Sequence, residues 1–501
     1  MANFQTVAFL GAIAVIGFLI SLWGLRRSRT TGGFFTADSG VSPGQNGMAI
    51  AGDFLSSAAF LGIVGATALN GLSGFYLAIS VPTTFVLMAL IIAEPLRNLG
   101  RYTLSDVLAA RFDGANLRAV AAFNALVISS LFLVAQFVGA GLVVSLLIGT
   151  SYPVSLLLVG GLMTVYVLLG GMSAVTWIQI FKTVLLLLAG LTLGVLTLAR
   201  FDWSPSRIFA EAMTRIGPHV MLPPHPGTIA SSLDYVSLNL GVALGPLGLP
   251  HVLIRFLTVK DSRAARSSVA IACWIIAAFL LAISLTGLGA GVLLGTDAIR
   301  AANPAGTLTT PMLAQELGGS ALLAFVAAVI FATSVAVIAG VAISASGTFT
   351  HDLYASLIRP KAKEGERLLA ARVAAMAICC LAIVVSLGAS KLNIAYIGVI
   401  AMTVAASGNV PVVLLTLLWR GFNKTGALSG LIGGVTVALG LTLVGPTVMG
   451  PDALFPLANV GLVSIPAGCL AAWLGALLGR PEAGAGDRFD QVAARAALAP
   501  Q

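Results

Sequence analysis

The chain is poor in charge: Asp, Glu, Lys and Arg supply only 9% of its 501 residues. Soluble domains carry about 25%, so a soluble globular protein is excluded. Cysteine is scarce as well. Cys273, Cys379, Cys380 and Cys469 all fall inside apolar runs, with no zinc spacing and no disulfide framework, and are expected to fill the core. No exact sequence repeat is visible, and no convergent His/Asp or metal set that would support a membrane-embedded enzyme. What the chain has instead is apolar length, with 58% hydrophobic residues and a mean hydropathy of +1.01. A net charge of +9 would suit a nucleic-acid partner, but the basic residues sit in short loops between apolar runs, which is the pattern of membrane orientation. The first run, 7–22, lacks a basic leader and a small-residue cleavage site, and reads as a retained span.

Windows of about 20 apolar residues recur at 4–22, 45–70, 73–95, 117–148, 152–170, 173–199, 231–258, 267–296, 320–346, 369–388, 392–418, 425–444 and 453–479. They predict an all-α integral membrane protein of about thirteen transmembrane helices. An odd count puts the termini on opposite sides. With the N-terminus outside and the C-terminus inside, most of the 27 Lys and Arg residues, Arg97, Arg101, Arg111, Arg118 and Arg255 among them, fall on the cytoplasmic side. Arg200, Arg207, Arg215, Arg300 and Lys391 are left outside, and Lys182 lies within a span. The external loop 201–228 is expected to hold a short amphipathic helix near 207–216. Segment 102–112 reads as a surface helix with Thr103 as cap and Asp106 in its first turn. The polar, Ala/Gly-rich tail 481–501 is expected to be disordered.

The chemistry begins in 51–62, where Asp53, Ser56 and Ser57 stand beside Gly52 inside an apolar segment. An ionisable group at membrane depth costs roughly 2.5–3.5 kcal/mol unless it meets a cavity or a partner. The span is therefore expected to be a broken helix lining an aqueous site, as in secondary transporters. Asp53 could neutralise a bound cation, carry a proton, or cap the second half-helix. A second broken span is expected at 231–256, where Gly245, Pro246, Gly248 and Pro250 must free backbone groups. His251 there reads either as a structural hydrogen-bonding group or as a proton relay. Thr333 is a site residue or a hydroxyl bonded to its own helix. Lys182 either snorkels to the interface or is a fixed cation inside the bundle. Gln136, Asn239 and Asn409 are further intramembrane polar groups, and Glu94 is expected to pair with Arg97.

These segments, together with Gly248-Leu249-Pro250-His251-Val252-Leu253-Ile254-Arg255-Phe256, His351-Asp352-Leu353-Tyr354 and Thr176-Trp177-Ile178-Gln179, resemble the sodium:solute symporter family, most closely its acetate-permease (cation:acetate symporter) branch. The likeness covers most of 40–440. It implies a LeuT-type fold: a five-plus-five inverted repeat (45–230 and 231–418), preceded by one helix in 1–44 and followed by two in 419–480. It also implies uptake of a short monocarboxylate of the acetate, propionate or pyruvate type, driven by sodium or protons across a bacterial inner membrane, with no organic cofactor and no nucleic-acid partner. Proline or a sugar is the alternative solute, and a passive anion channel the alternative mode.

By position, the family's cation site would use carbonyls of Gly52 and Leu55 with groups at Thr333 and Ala336. Where sodium-coupled members place two hydroxyls, this chain has Ala336 and Val337; where several carry an Asp, it has Gln179. The Lys182 ammonium is then a candidate substitute for sodium, with Asp53 and Gln179 as coupling partners. The half-helix after Gly52 would meet the substrate carboxylate with Ser56 and Ser57, between Phe54 and Phe60. Ala59 keeps the pocket small, and Gly245 and Gln136 complete the expected substrate set.

Overall fold

A computed structural model describes residues 4–25, 30–222, 228–389, 394–480 and 485–497. Arg26, Arg27, Arg29, Lys391 and the prolines 223, 224 and 226 lie outside these. The described chain is helical without strands. The helices that matter begin with α1 (Phe4–Leu25), α2 (Pro43–Phe54), α3 (Ser57–Asn70), α4 (Leu72–Leu99), α5 (Leu104–Ala109), α6 (Ala115–Ile148), α7 (Tyr152–Arg200) and α8 (Pro205–Arg215). They continue with α9 (Ile229–Leu244), α10 (Pro250–Leu253), α11 (Ser262–Leu294), α12 (Thr309–Thr348), α13 (Glu364–Gly388), α14 (Ile394–Leu418), α15 (Lys424–Leu443), α16 (Gly461–Leu478) and α17 (Ala485–Ala497).

Among the described residues, nine helices are long and apolar enough to cross a bilayer, or eleven if each of two bent pairs counts as one span. An expectation of about thirteen rests further on counting α1 and on dividing α7, whose Gly171 has φ 62° and ψ −175° inside an otherwise continuous helix. Only glycine takes that conformation without a steric penalty.

The two bent pairs organise the centre. Ser42 and Gln45 form a reciprocal capping box at the start of α2, with Pro43 in the first turn. The helix stops at Phe54, and the pair α2/α3 is bent by 56°. The amide of Ser56 turns to Phe54 O (2.7 Å), so it does not serve Gly52 O as a continuing helix would require. Ser56 then caps α3, its hydroxyl oxygen accepting from the Ala59 amide at 3.2 Å. The second break, bent by 45°, follows from two prolines: Leu249, ahead of Pro250, is extended (φ −75°, ψ 118°). The freed Gly248 carbonyl accepts from Asn409 Nδ2 of α14 at 2.8 Å, the kind of partner that makes broken backbone tolerable in a bilayer.

The surface elements depart from expectation in places. Helix α8 spans 205–215, and Arg207 and Arg215 both pair with Glu211 at 3.1 Å. Glu94 pairs with Arg266 (3.4 Å), not with Arg97, which donates to the carbonyls of Val259 and Lys260. Cys380 and Cys469 are exposed on the outer face of the bundle; only Cys379 is a buried core residue. The tail is not wholly without structure: α17 is an amphipathic helix whose Val492 is buried. Asn98 donates to Ala496 O at 2.9 Å, Arg488 pairs with Asp113 at 3.0 Å, and Arg420 pairs with Asp490 at 2.7 Å. A composition argument misses this helix because its apolar face is short and its docking surface is non-local.

Arg111, buried after α5, donates to carbonyls at the end of α14 and in the following turn: Thr416 at 2.6 Å, Trp419 at 2.9 Å, and Arg420 and Phe422 at 2.8 Å each. Burial lowers its pKa to about 10, still well above neutrality. Its guanidinium stacks on the rings of Phe112 and Phe489 (5.0 and 4.7 Å). Replacing Arg111 by alanine leaves these carbonyls unpartnered, so a drop in melting temperature equivalent to about 3 kcal/mol is expected; an unchanged melt would show that water takes over the bonds.

Candidate functional site

The centre of the molecule is a buried ionic network. Asp53, at the last turn of α2, is 1% exposed and faces Arg255, also 1% exposed, from the second broken segment. Arg255 Nε donates to Asp53 Oδ2 at 2.5 Å and Nη2 to Oδ1 at 3.3 Å, a bidentate pair. Its Nη1 donates to Thr176 Oγ1 at 2.9 Å. Behind the pair, Asn46 Nδ2 and Thr258 Oγ1 donate to Arg255 O at 3.0 and 2.8 Å. Each broken helix thus contributes one charge, and the pair ties the breaks together.

Gln179 of α7 closes the network. Its Nε2 donates to Asp53 Oδ1 at 2.5 Å and to Ala336 O at 2.9 Å. One amide group therefore bridges the carboxylate of α2 and a carbonyl of α12. Gly52 and Gly340 make room for this approach. A Cβ at Gly52 would stand 2.6 Å from Thr183 Oγ1 and 2.9 Å from Gln179 Oε1; one at Gly340 would stand 2.9 Å from Asp53 Oδ1. Gly340→Ala is expected to cost about 1–3 kcal/mol by overpacking, read as a lowered melting temperature. Gly62→Ala, where a Cβ meets nothing within 4 Å, is the control; equal melts for the two variants would refute the close fit.

Lys182 stands one turn after Gln179 on the same face of α7. It is fully buried, not snorkelled to the interface, and its Nζ has no hydrogen-bond partner among the described residues. It lies within electrostatic range of Asp53 and Arg255. His251 is buried too, its ring against Phe132 at 4.8 Å, with neither nitrogen bonded among the described residues. No bond from His251 to a loop is formed there.

The other expected site residues divide. Ser57 Oγ meets Ser334 Oγ at 3.0 Å, joining α3 to α12, whereas Thr333 bonds back to Val329 O at 2.7 Å. It is Ser334, one position on, that crosses to the broken helix. Phe54 packs edge-on to Phe85 (5.6 Å), and Phe60 packs against Phe279 (5.7 Å). Ala59 is half-buried at the start of α3. Gly245 lies against Met402, a Cβ there falling 2.9 Å from its backbone oxygen. Gln136 is buried on α6 with Oε1 unpartnered among the described residues. Leu55 donates to Ala51 O at 2.8 Å and ends α2.

Sequence reasoning missed Arg255 as a central residue, having placed it with the basic residues of the cytoplasmic face. A signal was available: one acid in the first broken span and one base in the second, each too costly to bury alone.

Apart from the Gly52 carbonyl, which the helix break leaves without its i+4 amide, the donor set offers a sodium cage little. Ala336 and Val337 offer no side-chain oxygen, Ala336 O already accepts from Gln179, and both Asp53 oxygens are engaged by Arg255 and Gln179. A hard cation wants several unengaged oxygens.

The sodium:solute symporter family model matches residues 34–434. The symporter YwcA of Bacillus subtilis is 42% identical, over 98% of both chains. A monocarboxylic acid transporter of Corynebacterium glutamicum is 40% identical, over 92% of this chain and 88% of that one. Among solved structures, a substrate-bound, outward-open Na+-coupled sialic acid symporter superimposes with a TM-score of 0.77 at 16% identity, covering 96% of this chain and 99% of that chain. That likeness shows the fold, which is of the LeuT type. The chain is a multi-pass membrane protein and belongs to the sodium:solute symporter family.

Proposed function

We propose that this protein is a secondary active symporter that takes up a short-chain monocarboxylate of the acetate, propionate or pyruvate type together with a proton. The observation that carries the reading is Lys182: a fully buried amine without a hydrogen-bond partner among the described residues, beside an acid–base pair that is already complete. Asp53 and Arg255 cancel, so a proton on Lys182 adds one uncompensated positive charge at the centre of the bundle. Such a charge is costly alone and is stabilised by an anion. Solute and proton therefore favour each other's binding. A proton that travels with each monocarboxylate also cancels the charge that would otherwise work against an inside-negative potential, about 2.3 kcal/mol per 100 mV.

The solute would sit where α2 gives way to α3, near Phe54, Ser56 and Ser57, with Ala59 limiting its size and Gly245 and Gln136 on the facing helices. The resemblance to a monocarboxylic acid transporter supports this class. We further read thirteen spans, with α1 preceding two five-helix repeats (45–230 and 231–418) and α15 and α16 following them. The N-terminus lies outside and the C-terminus inside, so that Arg97, Arg101, Arg111 and Arg118 face the cytoplasm. Gly52, Leu55, Thr333 and Ala336 mark the position of the family's cation site, which the Lys182 ammonium serves here.

Labelled acetate uptake into proteoliposomes, with proton and sodium gradients imposed separately, tests the reading. Accumulation is expected with the proton gradient. Accumulation with sodium alone would transfer coupling to sodium, equal rates with neither gradient would indicate a passive channel, and uptake of proline or a sugar in place of acetate would refute the solute class.

A further inference from the structure

We infer that Asp106, Arg118, His351 and Asp352 form the cytoplasmic gate of the solute pathway, and that a proton taken up by His351 from the cytoplasm holds this gate shut. The inference rests on the orientation and transport function proposed above. His351 and Asp352 lie in a ten-residue π-helical segment, Phe349–Ile358, that continues α12. π-Turns are rare and recur at functional sites. Asp106 comes from α5 and Arg118 from the first turn of α6. Three elements thus converge on one cluster, Asp352 of the π segment lying 234 residues from Arg118 in sequence and further still from Asp106.

The contacts are mutual. Asp352 Oδ1 accepts from Thr103 Oγ1 at 3.0 Å and Arg118 Nη1 at 3.1 Å, and His351 Nδ1 stands 2.9 Å away. Arg118 Nη1 also reaches Asp106 Oδ1 at 3.2 Å, and His351 Nδ1 lies 3.7 Å from that same oxygen. Asp106 Oδ2 accepts the amides of Tyr102 at 2.8 Å and Thr103 at 3.2 Å. Asp352 is wholly buried, and its Oδ2 has no partner among the described residues.

The cluster borders a narrow cavity that leads towards the second broken helix. Asp352 shares its wall with Leu253 and Leu257 from that helix, Ala121 from α6, and Ser344 and Thr348 from α12. A solute leaving between the broken helix and α12 towards the cytoplasm meets this cavity. To open it, the end of α12 must part from α5 and α6, which breaks the cluster.

Two carboxylates and one guanidinium leave the cluster with one net negative charge while His351 is neutral. An ionised Asp352 only accepts, so Nδ1 carries the hydrogen between them and a second proton goes to Nε2. That proton makes the cluster neutral and turns the Nδ1–H contact from a neutral donor on a carboxylate into an ion pair. The other charged groups near the segment are Arg101 and those of α13, where Arg372 has a buried Nε without a partner among the described residues. Arg101 stacks on Tyr102 at 5.1 Å, and Tyr102 meets the His351 ring edge-on, also at 5.1 Å. On α13, which packs on the same π segment, Glu364 accepts from Thr31, Glu366 pairs with Arg359, and Arg367 donates to Ala362 O. An imported weak acid releases its proton in the cytoplasm, so the gate answers to its own product: acid closes it.

The test reads accessibility and needs no transport. Ser344→Cys is introduced with the four native cysteines replaced by alanine. Inside-out vesicles are labelled with a membrane-impermeant maleimide at about pH 5.5 and about pH 8. Rates are normalised to Gln491→Cys, an exposed position on α17. Normalised labelling is expected to be roughly fivefold slower at the acid pH, the effect of gaining one partly exposed ion pair, and His351→Gln should abolish the difference. Arg118→Gln, which leaves two carboxylates facing each other, should label quickly at both pH values. Equal rates in the parent, or a pH difference that survives His351→Gln, would overturn the gate. A protein that shows the pH-dependent labelling but takes up no monocarboxylate would overturn the solute reading and leave the gate standing.

Discussion

Arg255→Ala is expected to unfold the centre of the protein as well as to stop transport. The substitution strands Asp53, 1% exposed, as an unpaired buried carboxylate, and breaking a buried pair from one side costs about 3–5 kcal/mol. The melting temperature of purified protein in detergent should fall accordingly, with uptake in proteoliposomes lost. Arg255→Lys should recover part of the stability only, because one ammonium cannot serve both Asp53 oxygens and Thr176 as the guanidinium does. The informative variant is the double one, Asp53→Asn with Arg255→Gln. Removing both charges at once should restore most of the melt. If uptake returns with it, the pair is only a structural tie between the breaks; if stability returns and uptake does not, Asp53 also takes part in coupling. An Arg255→Ala protein that melts and transports like the parent would remove the pair from any role.

The second large effect concerns Lys182. Lys182→Gln keeps a polar group of similar length and removes the titratable charge, so acetate uptake should lose its dependence on pH. Accumulation against a gradient should stop, while exchange of labelled for unlabelled acetate persists. Lys182→Ala should do the same with a cavity penalty of about 2–5 kcal/mol added. Initial rates over a range of external pH, with internal pH held fixed, read the result directly. A pH profile that superimposes on the parent's would reject Lys182 as the coupling group and return attention to Asp53 and His251.

Much of the architecture can be read from the sequence because a bilayer leaves few options. Apolar windows of spanning length must be helices, and glycine with proline inside such a window must interrupt one. Both broken segments were expected within a few residues of where α2/α3 and α9/α10 break, because those interruptions are local consequences of Pro246, Pro250 and the Gly52–Ser56 stretch. Partnerships were harder. Asp53 reads as a polar group in search of a partner, but nothing local says that the partner is Arg255, 202 residues on. Likewise Thr333 and Ser334 look equivalent in sequence. Only the rotation of α12 decides that Ser334 faces Ser57 while Thr333 turns to its own helix. Glu94 was assigned to Arg97 by proximity in the chain, whereas the fold brings Arg266 closer. Helix α17 shows the same limit from the other side: its composition resembles a free tail, and it is ordered by residues more than 300 positions away.

That terminal helix carries a mechanical consequence. It is fastened at once to the end of α4 through Asn98, to the turn before α6 through Asp113, and to the turn after α14 through Arg420. Two of these anchor points lie in the first proposed repeat and the third just beyond the second, so a rocking cycle that spreads them must stretch or release the tether. The tether would thus resist that spreading like a spring clip, and cutting it should alter how quickly the carrier cycles without altering what it carries.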